Sequence, residues 1–158
     1  MGKCTRNFYE DPVQIRAAKL LAAEKGIDAR MASVVRPAPV PGKRAAIIGG
    51  GPTGIAAAYF LGRAGVACTI FERTGKLGGI VRHVIPAFRI SDEAIDRDIA
   101  LMQAYGAEVR LNTEAPSVEE LHKMGYTHIL YATGAWKPGK LNIPGNVRGV
   151  IGWMQERK

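Results

Sequence analysis

The stretch from residue 45 to residue 72, AAIIGGGPTGIAAAYFLGRAGVACTIFE, restricts the fold of this chain more than any other. Its pattern predicts a strand at 45–48, a helix from 52 to about 63 and a second strand at 66–71. Short apolar strands joined by a helix are typical of a buried parallel sheet covered by helices. The stretch therefore predicts an α/β fold built around a β-α-β unit.

Three glycines with the spacing G-x-G-x-x-G lie between the first strand and the helix: Gly49, Gly51 and Gly54. In this position the first glycine permits a tight turn, the second lets a pyrophosphate approach the backbone, and the third lets helix and strand pack closely. Proline has no backbone N–H group, but an N–H at the first position of a helix has no partner within the helix, so Pro52 loses no hydrogen bond there. The N-terminus of the helix offers N–H groups and partial positive charge to the turn, so these residues predict a dinucleotide site.

The second predicted strand ends at an acid, Glu72, which lies 18 residues after Gly54. A carboxylate at this place accepts hydrogen bonds from both hydroxyls of a ribose and repels a 2′-phosphate. NADP is therefore disfavoured at this turn, and the neighbouring Arg73 weakens that exclusion only slightly. The residues alone leave two dinucleotides open, FAD and NAD.

The rest of the chain continues the alternation of helices and strands. Ser91 and Ser117 are the predicted N-caps of two helices, one running to about Tyr105 and the other closed by Gly125. Strands are predicted after each of them, at 107–111 and within THILYATG, residues 127–134. The segments 73–90 and 135–158 are predicted to be irregular, the second without a closing element.

The N-terminal part has a different character. Asp11 and Pro12 predict the start of an amphipathic helix at about 12–25, and Gly26 its end. RMASVVRPAPVPGKR, at 30–44, is typical of an extended connector. We therefore expect three parts: an N-terminal helical segment at 1–28, a basic proline-rich linker at 29–44 and a Rossmann-like domain at 45–158.

Composition narrows the function classes. The chain has 158 residues, enough for one core, with a net charge of +8 and a pI near 9.8. Nucleic acid binding is disfavoured because the cations are scattered, apart from Arg30, Arg36, Lys43 and Arg44 near the prolines. The sequence has two cysteines and no run of apolar residues long enough for a membrane span. These features predict a cytoplasmic protein.

Three separated motifs resemble one family. IIGGGPTGIAAAYFLGRAGVACTIFERTGKLGGIVRHVIPAFRI and YATGAWKP together resemble the FAD-binding half of flavoproteins with two dinucleotide-binding domains. The group that they resemble contains the small subunit of NADPH-dependent glutamate synthase and the flavin-binding part of dihydropyrimidine dehydrogenase. CTRNFYEDPVQIRAAKLLAAEKG and IPAFRISDEAIDRDI are most similar to its selenate reductase branch.

The resemblance implies which residues contact FAD. The pyrophosphate and the adenosine ribose are assigned to Gly49, Gly51, Pro52, Thr53, Gly54, Glu72 and Arg73. The loop beside the cofactor is assigned to Gly78 and Gly79, and the segment near the isoalloxazine ring to Arg82, His83, Ile85 and Pro86. The backbone beside the adenine is assigned to Glu114 and Ala115, and the small turn after a strand to Ala132, Thr133 and Gly134.

Some parts of the family pattern differ in this chain, and others are absent from it. Where members of the family often have tyrosine-glycine, this chain has His83 and Val84, and a packing role is favoured over a proton-carrying role for His83. His122 and His128 have no metal-ligand spacing and are expected to be structural. Cys4 resembles the last ligand of an iron–sulfur segment, but one thiolate does not hold a cluster, so no metal site is predicted.

The resemblance also sets the expected function. The second glycine fingerprint for NAD(P)H and the segment that completes the flavin domain do not occur, so we expect a truncated FAD-binding half-domain of a longer enzyme. The leading hypothesis is the FAD-binding part of an NAD(P)H-dependent oxidoreductase, inactive as an isolated chain, that passes electrons to an iron–sulfur centre or a partner subunit. Two alternatives stay open: an NAD-binding Rossmann domain of a dehydrogenase, and a non-catalytic nucleotide-binding or interaction module with a basic linker.

Overall fold

The structure is a computed structural model that describes residues 4–137 and 150–156. The chain divides into two compact units, residues 1–34 and residues 35–158. Within the described residues, no helix combines the length and the apolar composition that a bilayer-spanning helix needs.

The first unit contains a short 3-10 helix, Thr5–Phe8, and one long helix, α1, Ile15–Ala32. The prediction that Gly26 ends this helix is wrong, since α1 continues through it for six more residues. A glycine inside a helix costs only about 1 kcal/mol relative to alanine, which the neighbouring alanines and leucines offset. The last turn of α1 therefore occupies the first residues of the predicted connector.

The second unit alternates helices and strands as predicted. Its elements are β1 (Arg44–Ile48), α2 (Pro52–Arg63), β2 (Ala67–Phe71), α3 (Gly79–His83), α4 (Asp92–Ala104), β3 (Glu108–Arg110), α5 (Val118–Lys123), β4 (His128–Tyr131) and α6 (Val150–Gln155). The strands form one parallel sheet in the order β3-β2-β1-β4. The predicted α/β fold with a Rossmann-like parallel sheet is confirmed.

Two local predictions are wrong. The segment 73–90, expected to be irregular throughout, contains α3. The C-terminal stretch, expected to lack a closing element, contains α6. The turn-rich residues 138–149 lie outside the described residues.

Successive residues of β1 point to opposite faces of the sheet and build the core on both sides. Ala45 and Ile47 belong to a cluster that includes Ala58 of α2 and Met102 of α4. Ala46 and Ile48 belong to a second cluster with Phe71, Leu121 and Tyr126. The continuous apolar run of β1 thus reflects burial on both faces, which is typical of a central parallel strand.

The predicted helix caps are confirmed. The side chain of Ser91 accepts a hydrogen bond from the backbone N–H of Ala94, and Ser117 and Glu120 form both bonds of a capping box. Each cap satisfies N–H groups that the first turn of a helix leaves unpaired.

The register of the strands determines where a ligand site can form. Ile48, the last residue of β1, lies opposite Phe71 of β2 and Tyr131 of β4. The carboxyl ends of these three strands therefore meet at one edge of the sheet, with β1 in the middle. The glycine turn that follows β1 lies between the segments that follow β2 and β4.

Candidate functional site

A cavity of about 360 Å³ opens at the carboxyl edge of the sheet, around the glycine turn. Ligands of open α/β sheets bind in this place, outside the carboxyl ends of the strands. The cavity is lined by Ile48, Gly49, Gly51, Pro52, Thr53, Phe71, Glu72, Arg73, Gly79, Ile80, Thr113, Glu114, Ala115, Ala132, Thr133, Gly134 and Trp136.

Two glycines of the turn are required by the contacts of the protein itself. Gly49 has a φ of +105°, and a Cβ atom there would overlap the carbonyl oxygen of Ala132. A Cβ atom on Gly54 would overlap the carbonyl oxygen of Gly49. These two glycines therefore let the turn bend and let α2 lie close to β1, as the fingerprint predicts.

The middle glycine is different, because no protein contact requires it. Gly51 has a φ of −75°, which any residue adopts, and the nearest heavy atom to its ideal Cβ position is Gly79 Cα at 3.9 Å. Gly51 also lines the cavity. A position that is bare without a packing reason fits the close approach of a ligand to the backbone.

Gly79 supports this arrangement from the opposite side. It has a φ of +54°, and a Cβ atom on it would lie 2.9 Å from Gly51 Cα. The preceding Gly78 has a φ of +120°, and its N–H donates to the Gly50 carbonyl oxygen at 2.8 Å. The two glycines of KLGG therefore let the backbone at the start of α3 approach the turn closely.

Glu72 lies at the wall of the cavity, with only 8% of its surface exposed. One of its oxygens accepts from the Gly50 N–H at 2.7 Å, and the other accepts from the N–H and the hydroxyl of Thr74, both at 2.8 Å. Burial raises the pKa of Glu72, but these hydrogen bonds, with the charge of Arg73, outweigh burial and leave that pKa below its ordinary value. Glu72 is therefore an anion at neutral pH.

The hydrogen bonds of Glu72 qualify the role that the sequence predicts for it. A carboxylate has about four acceptor positions, and the protein occupies three of them. About one remains for a ligand, not the two that both ribose hydroxyls need. Glu72 thus supports the glycine turn directly, a role that the motif does not reveal.

The lowered pKa of Glu72 predicts a pH effect on stability. A group with a depressed folded pKa adds stability above its ordinary value, about 4.3, and this stability is lost as the pH falls through the folded pKa. We expect Glu72→Gln to reduce the free energy of unfolding by about 2 kcal/mol at pH 7. The difference in the free energy of unfolding between the variant and the wild-type protein should become smaller below pH 4. Urea unfolding of both proteins from pH 7 to pH 3 measures this, and a deficit independent of pH would contradict it.

Most of the residues assigned to the cofactor from the sequence line the cavity. Those that do not are Gly54, Gly78, Arg82, His83, Ile85 and Pro86. An added Cβ on Gly54 would overlap the Gly49 carbonyl oxygen, and one on Gly78 would lie 2.7 Å from Arg82 Cβ, so packing requires both glycines. The assignment of Arg82, His83, Ile85 and Pro86 to the flavin ring stays a prediction.

The structure gives Arg82 a clear role in the fold. Its side chain is 5% exposed, and its Nε donates to the Leu77 carbonyl oxygen at 2.6 Å. The guanidinium also pairs with Asp92, at 3.3 Å, and with Asp96. Arg82 thus joins α3 to α4. The sequence signal was the pair Asp92 and Asp96, which are four residues apart on one face of α4.

Several cavity residues were missed from the sequence, and the most informative is Trp136. Its ring centroid lies 5.7 Å from the guanidinium carbon of Arg73 and 6.2 Å from the ring centroid of His83. The available signal was its position directly after the YATGA segment. The other missed lining residues are Ile48, Phe71, Ile80 and Thr113.

Two cations near the proline-rich stretch are engaged within the second unit. Arg36 donates to the Ala104 carbonyl oxygen at 2.8 Å, at the end of α4. Arg44 donates to the Met124 carbonyl oxygen at 3.1 Å, and its guanidinium carbon lies 4.3 Å from the ring centroid of Tyr126. These contacts weaken the hypothesis of an interaction module that uses this basic stretch.

The structure shows the surroundings of His122, His128 and Cys4. His122 Nδ1 lies 2.9 Å from the Tyr126 carbonyl oxygen, and His128 Nδ1 lies 2.9 Å from the Thr127 hydroxyl. Cys4 precedes the 3-10 helix, where hydrogen bonds from backbone N–H groups lower its pKa. No three His, Cys, Asp or Glu side chains among the described residues are grouped to hold a metal ion.

Comparisons with known proteins agree with the fold. Residues 47–107 match the model of the NAD(P)-binding Rossmann-like domain family. A histamine dehydrogenase from Rhizobium sp. 4-9 has a similar fold, with a TM-score of 0.52 and 24% identity over 66% of this chain and 16% of that one.

Curated relatives match along nearly the whole chain. The oxidoreductase YgfK of Escherichia coli is 38% identical over 93% of this chain and 14% of its own length. The small chain of NADPH glutamate synthase from Mycobacterium tuberculosis is 33% identical over 90% of this chain and 30% of its own. The beta subunit of NADPH-Fe(3+) oxidoreductase from Geobacter sulfurreducens is 31% identical over 96% of this chain and 23% of its own.

The chain spans less than a third of the length of each of these relatives. Each match nevertheless covers at least 90% of this chain. That resemblance is therefore confirmed: the chain is a homologue of the glutamate synthase small chain and of related oxidoreductase subunits, and residues 47–107 match the Rossmann-like domain family.

Proposed function

We propose that this chain is the FAD-binding part of an NAD(P)H-dependent oxidoreductase. Electrons from a nicotinamide pass through FAD to an iron–sulfur centre or a partner subunit. The observation that carries the proposal is Gly51 at the N-terminus of α2, a cavity-lining glycine that no packing contact of the protein requires. Relatives named as NADPH-dependent glutamate synthase and NADPH-Fe(3+) oxidoreductase support the reaction class.

The cavity fits the adenosine diphosphate half of FAD. The N-cap of α2 is Gly51, which has no side chain to bind the N–H groups of the first turn. These groups are left for an anion, and the helix dipole favours a pyrophosphate at the same place. Ala115 and Thr113 line the side of the cavity that follows β3, where the base would lie.

The residues of the chain bind and orient, while the bound cofactor supplies the redox chemistry, the transfer of a hydride or of single electrons. Glu72 holds the turn through the Gly50 N–H and keeps about one acceptor position for a ribose hydroxyl. Its negative charge, which the lowered pKa preserves at neutral pH, repels a 2′-phosphate. NADPH, which carries a 2′-phosphate, is therefore expected to bind elsewhere than in this cavity.

The second candidate is an NAD-binding domain, which the description of the matching family favours. FAD and NAD share the adenosine diphosphate half, so both are expected to occupy the same cavity. KLGG, residues 76–79, and YATGA, residues 131–135, favour FAD, since the NAD hypothesis gives these two segments no role beyond packing.

We expect the 158-residue chain to bind ADP and FAD, with a dissociation constant for FAD at least about tenfold below that for NAD, a difference of about 1.4 kcal/mol. Calorimetric titration with FAD, NAD and ADP measures the order. Equal or tighter binding of NAD would support the second candidate instead. Binding of none of the three would contradict both.

A further inference from the structure

A contact between two side chains crosses the mouth of the cavity. Arg73 follows β2 and Trp136 follows β4, and these strands flank β1 on its two sides. The guanidinium carbon of Arg73 lies 5.7 Å from the ring centroid of Trp136. The contact therefore bridges the segments on both sides of the glycine turn, and both residues line the same cavity.

The backbone places Trp136 for this contact. Gly134 has a φ of +71°, a left-handed conformation that turns the chain after the strand. An added Cβ on Gly134 would lie 3.8 Å from the indole Nε1 of Trp136, so the chain folds back over its own turn. His83 contacts the ring as well, at 6.2 Å between centroids and with the planes tilted by 45°.

The charges of the cavity make the position of Arg73 important. Among the described residues that line the cavity, Arg73 is the one cation, whereas Glu72 and Glu114 are carboxylates. A pyrophosphate carries negative charge, so the two carboxylates oppose its entry, and among the charged side chains of the lining only Arg73 favours it. A long arginine side chain that is exposed samples many positions unless another group holds it.

We propose that Trp136 is a positioning and ligand-contacting residue of the dinucleotide cavity. Its ring holds the Arg73 guanidinium over the glycine turn by a cation–π contact, and the indole covers the adenosine diphosphate half of the ligand. This inference rests on the proposed function, since it assumes that a dinucleotide occupies the cavity. It adds a residue that the glycine fingerprint does not contain.

The test uses ADP as the probe, because ADP contains the part of the dinucleotide that this cavity would bind. Calorimetric titration of Trp136→Ala should show about tenfold weaker binding than the wild-type chain, and Trp136→Phe, which keeps an aromatic face, should recover part of the loss. Once Arg73 is replaced by alanine, removing Trp136 should weaken binding less than it does in the wild-type chain, because the two residues act as a pair.

Tryptophan emission gives a second readout that a purely structural role would not change. The chain has two tryptophans, Trp136 and Trp153. ADP should change the emission of Trp153→Phe, which retains only Trp136. It should leave the emission of Trp136→Phe unchanged. Trp153→Phe is also the matched control for binding and should bind ADP as the wild-type chain does.

The outcomes are distinct. Unchanged ADP affinity in Trp136→Ala, or an emission response that persists in Trp136→Phe, would overturn the role of Trp136 and leave the proposed function standing. No binding of ADP or FAD by the wild-type chain would overturn the proposed function, and this inference with it. Circular dichroism of each variant separates a loss of the fold from a loss of binding.

Discussion

Gly51→Ala is expected to weaken the binding of ADP and FAD by about 100-fold while the domain stays folded. The added methyl group would lie between Gly51 and Gly79 at the cavity wall, where a pyrophosphate would approach the backbone. Overpacking of this kind costs about 3 kcal/mol, which corresponds to roughly 100-fold in a dissociation constant. The cost to the fold is about 1 kcal/mol or less, since alanine is a poorer N-cap than glycine but adopts the same backbone angles.

Calorimetric titration gives the affinity, and thermal unfolding followed by circular dichroism gives the stability. Gly75→Ala is the matched control, because Gly75 also lies in a loop of the second unit, outside the cavity lining. Its Cβ would meet only Asn112 Oδ1, at 3.4 Å. An unchanged affinity in Gly51→Ala would mean that the ligand does not approach the turn, and the proposed function would be wrong.

Gly54→Ala is expected to have the opposite profile, with a large loss of stability. Its Cβ would overlap the backbone carbonyl oxygen of Gly49, which is held by the turn and moves only if α2 shifts away from β1. We expect a loss of about 3 kcal/mol in the free energy of unfolding. For a domain of this size that corresponds to roughly 10 °C in the midpoint of thermal unfolding.

Gly26→Ala provides the control for a glycine inside a helix. No heavy atom lies within 4 Å of its ideal Cβ position, and alanine has the higher helix propensity. We therefore expect it to leave the unfolding of the second unit unchanged. A stability loss in Gly54→Ala no greater than that in Gly51→Ala would show that helix and strand do not need this close approach.

Much of the fold follows from local sequence signals. The bounds of α2 agree with the prediction, because Pro52 begins the helix and the glycines before it exclude a longer strand. The capping residues Ser91 and Ser117 also mark helix starts correctly. Caps and turns act over a few residues, so their effects are readable without knowing the tertiary structure.

The wrong predictions share a physical cause. Gly26 was expected to stop α1, yet glycine ends a helix only when the chain turns into the left-handed region, as it does at Gly106 and Gly125. The helix α3 was missed because it is short. It is held by Arg82 contacts with α4 and by the close approach of Gly79 to Gly51, which link residues far apart in the chain.

The sequence by itself determined the parallel sheet, the glycine turn and the acid at the end of β2, because apolar periodicity and bare backbone positions are local properties. Only the tertiary structure decided how these parts are used. It shows that Gly49 and Gly54 are needed for packing while Gly51 is left open. It also shows that Glu72 supports the turn and that Trp136 reaches Arg73. These assignments depend on distances between segments that only the alignment of three strand ends brings together.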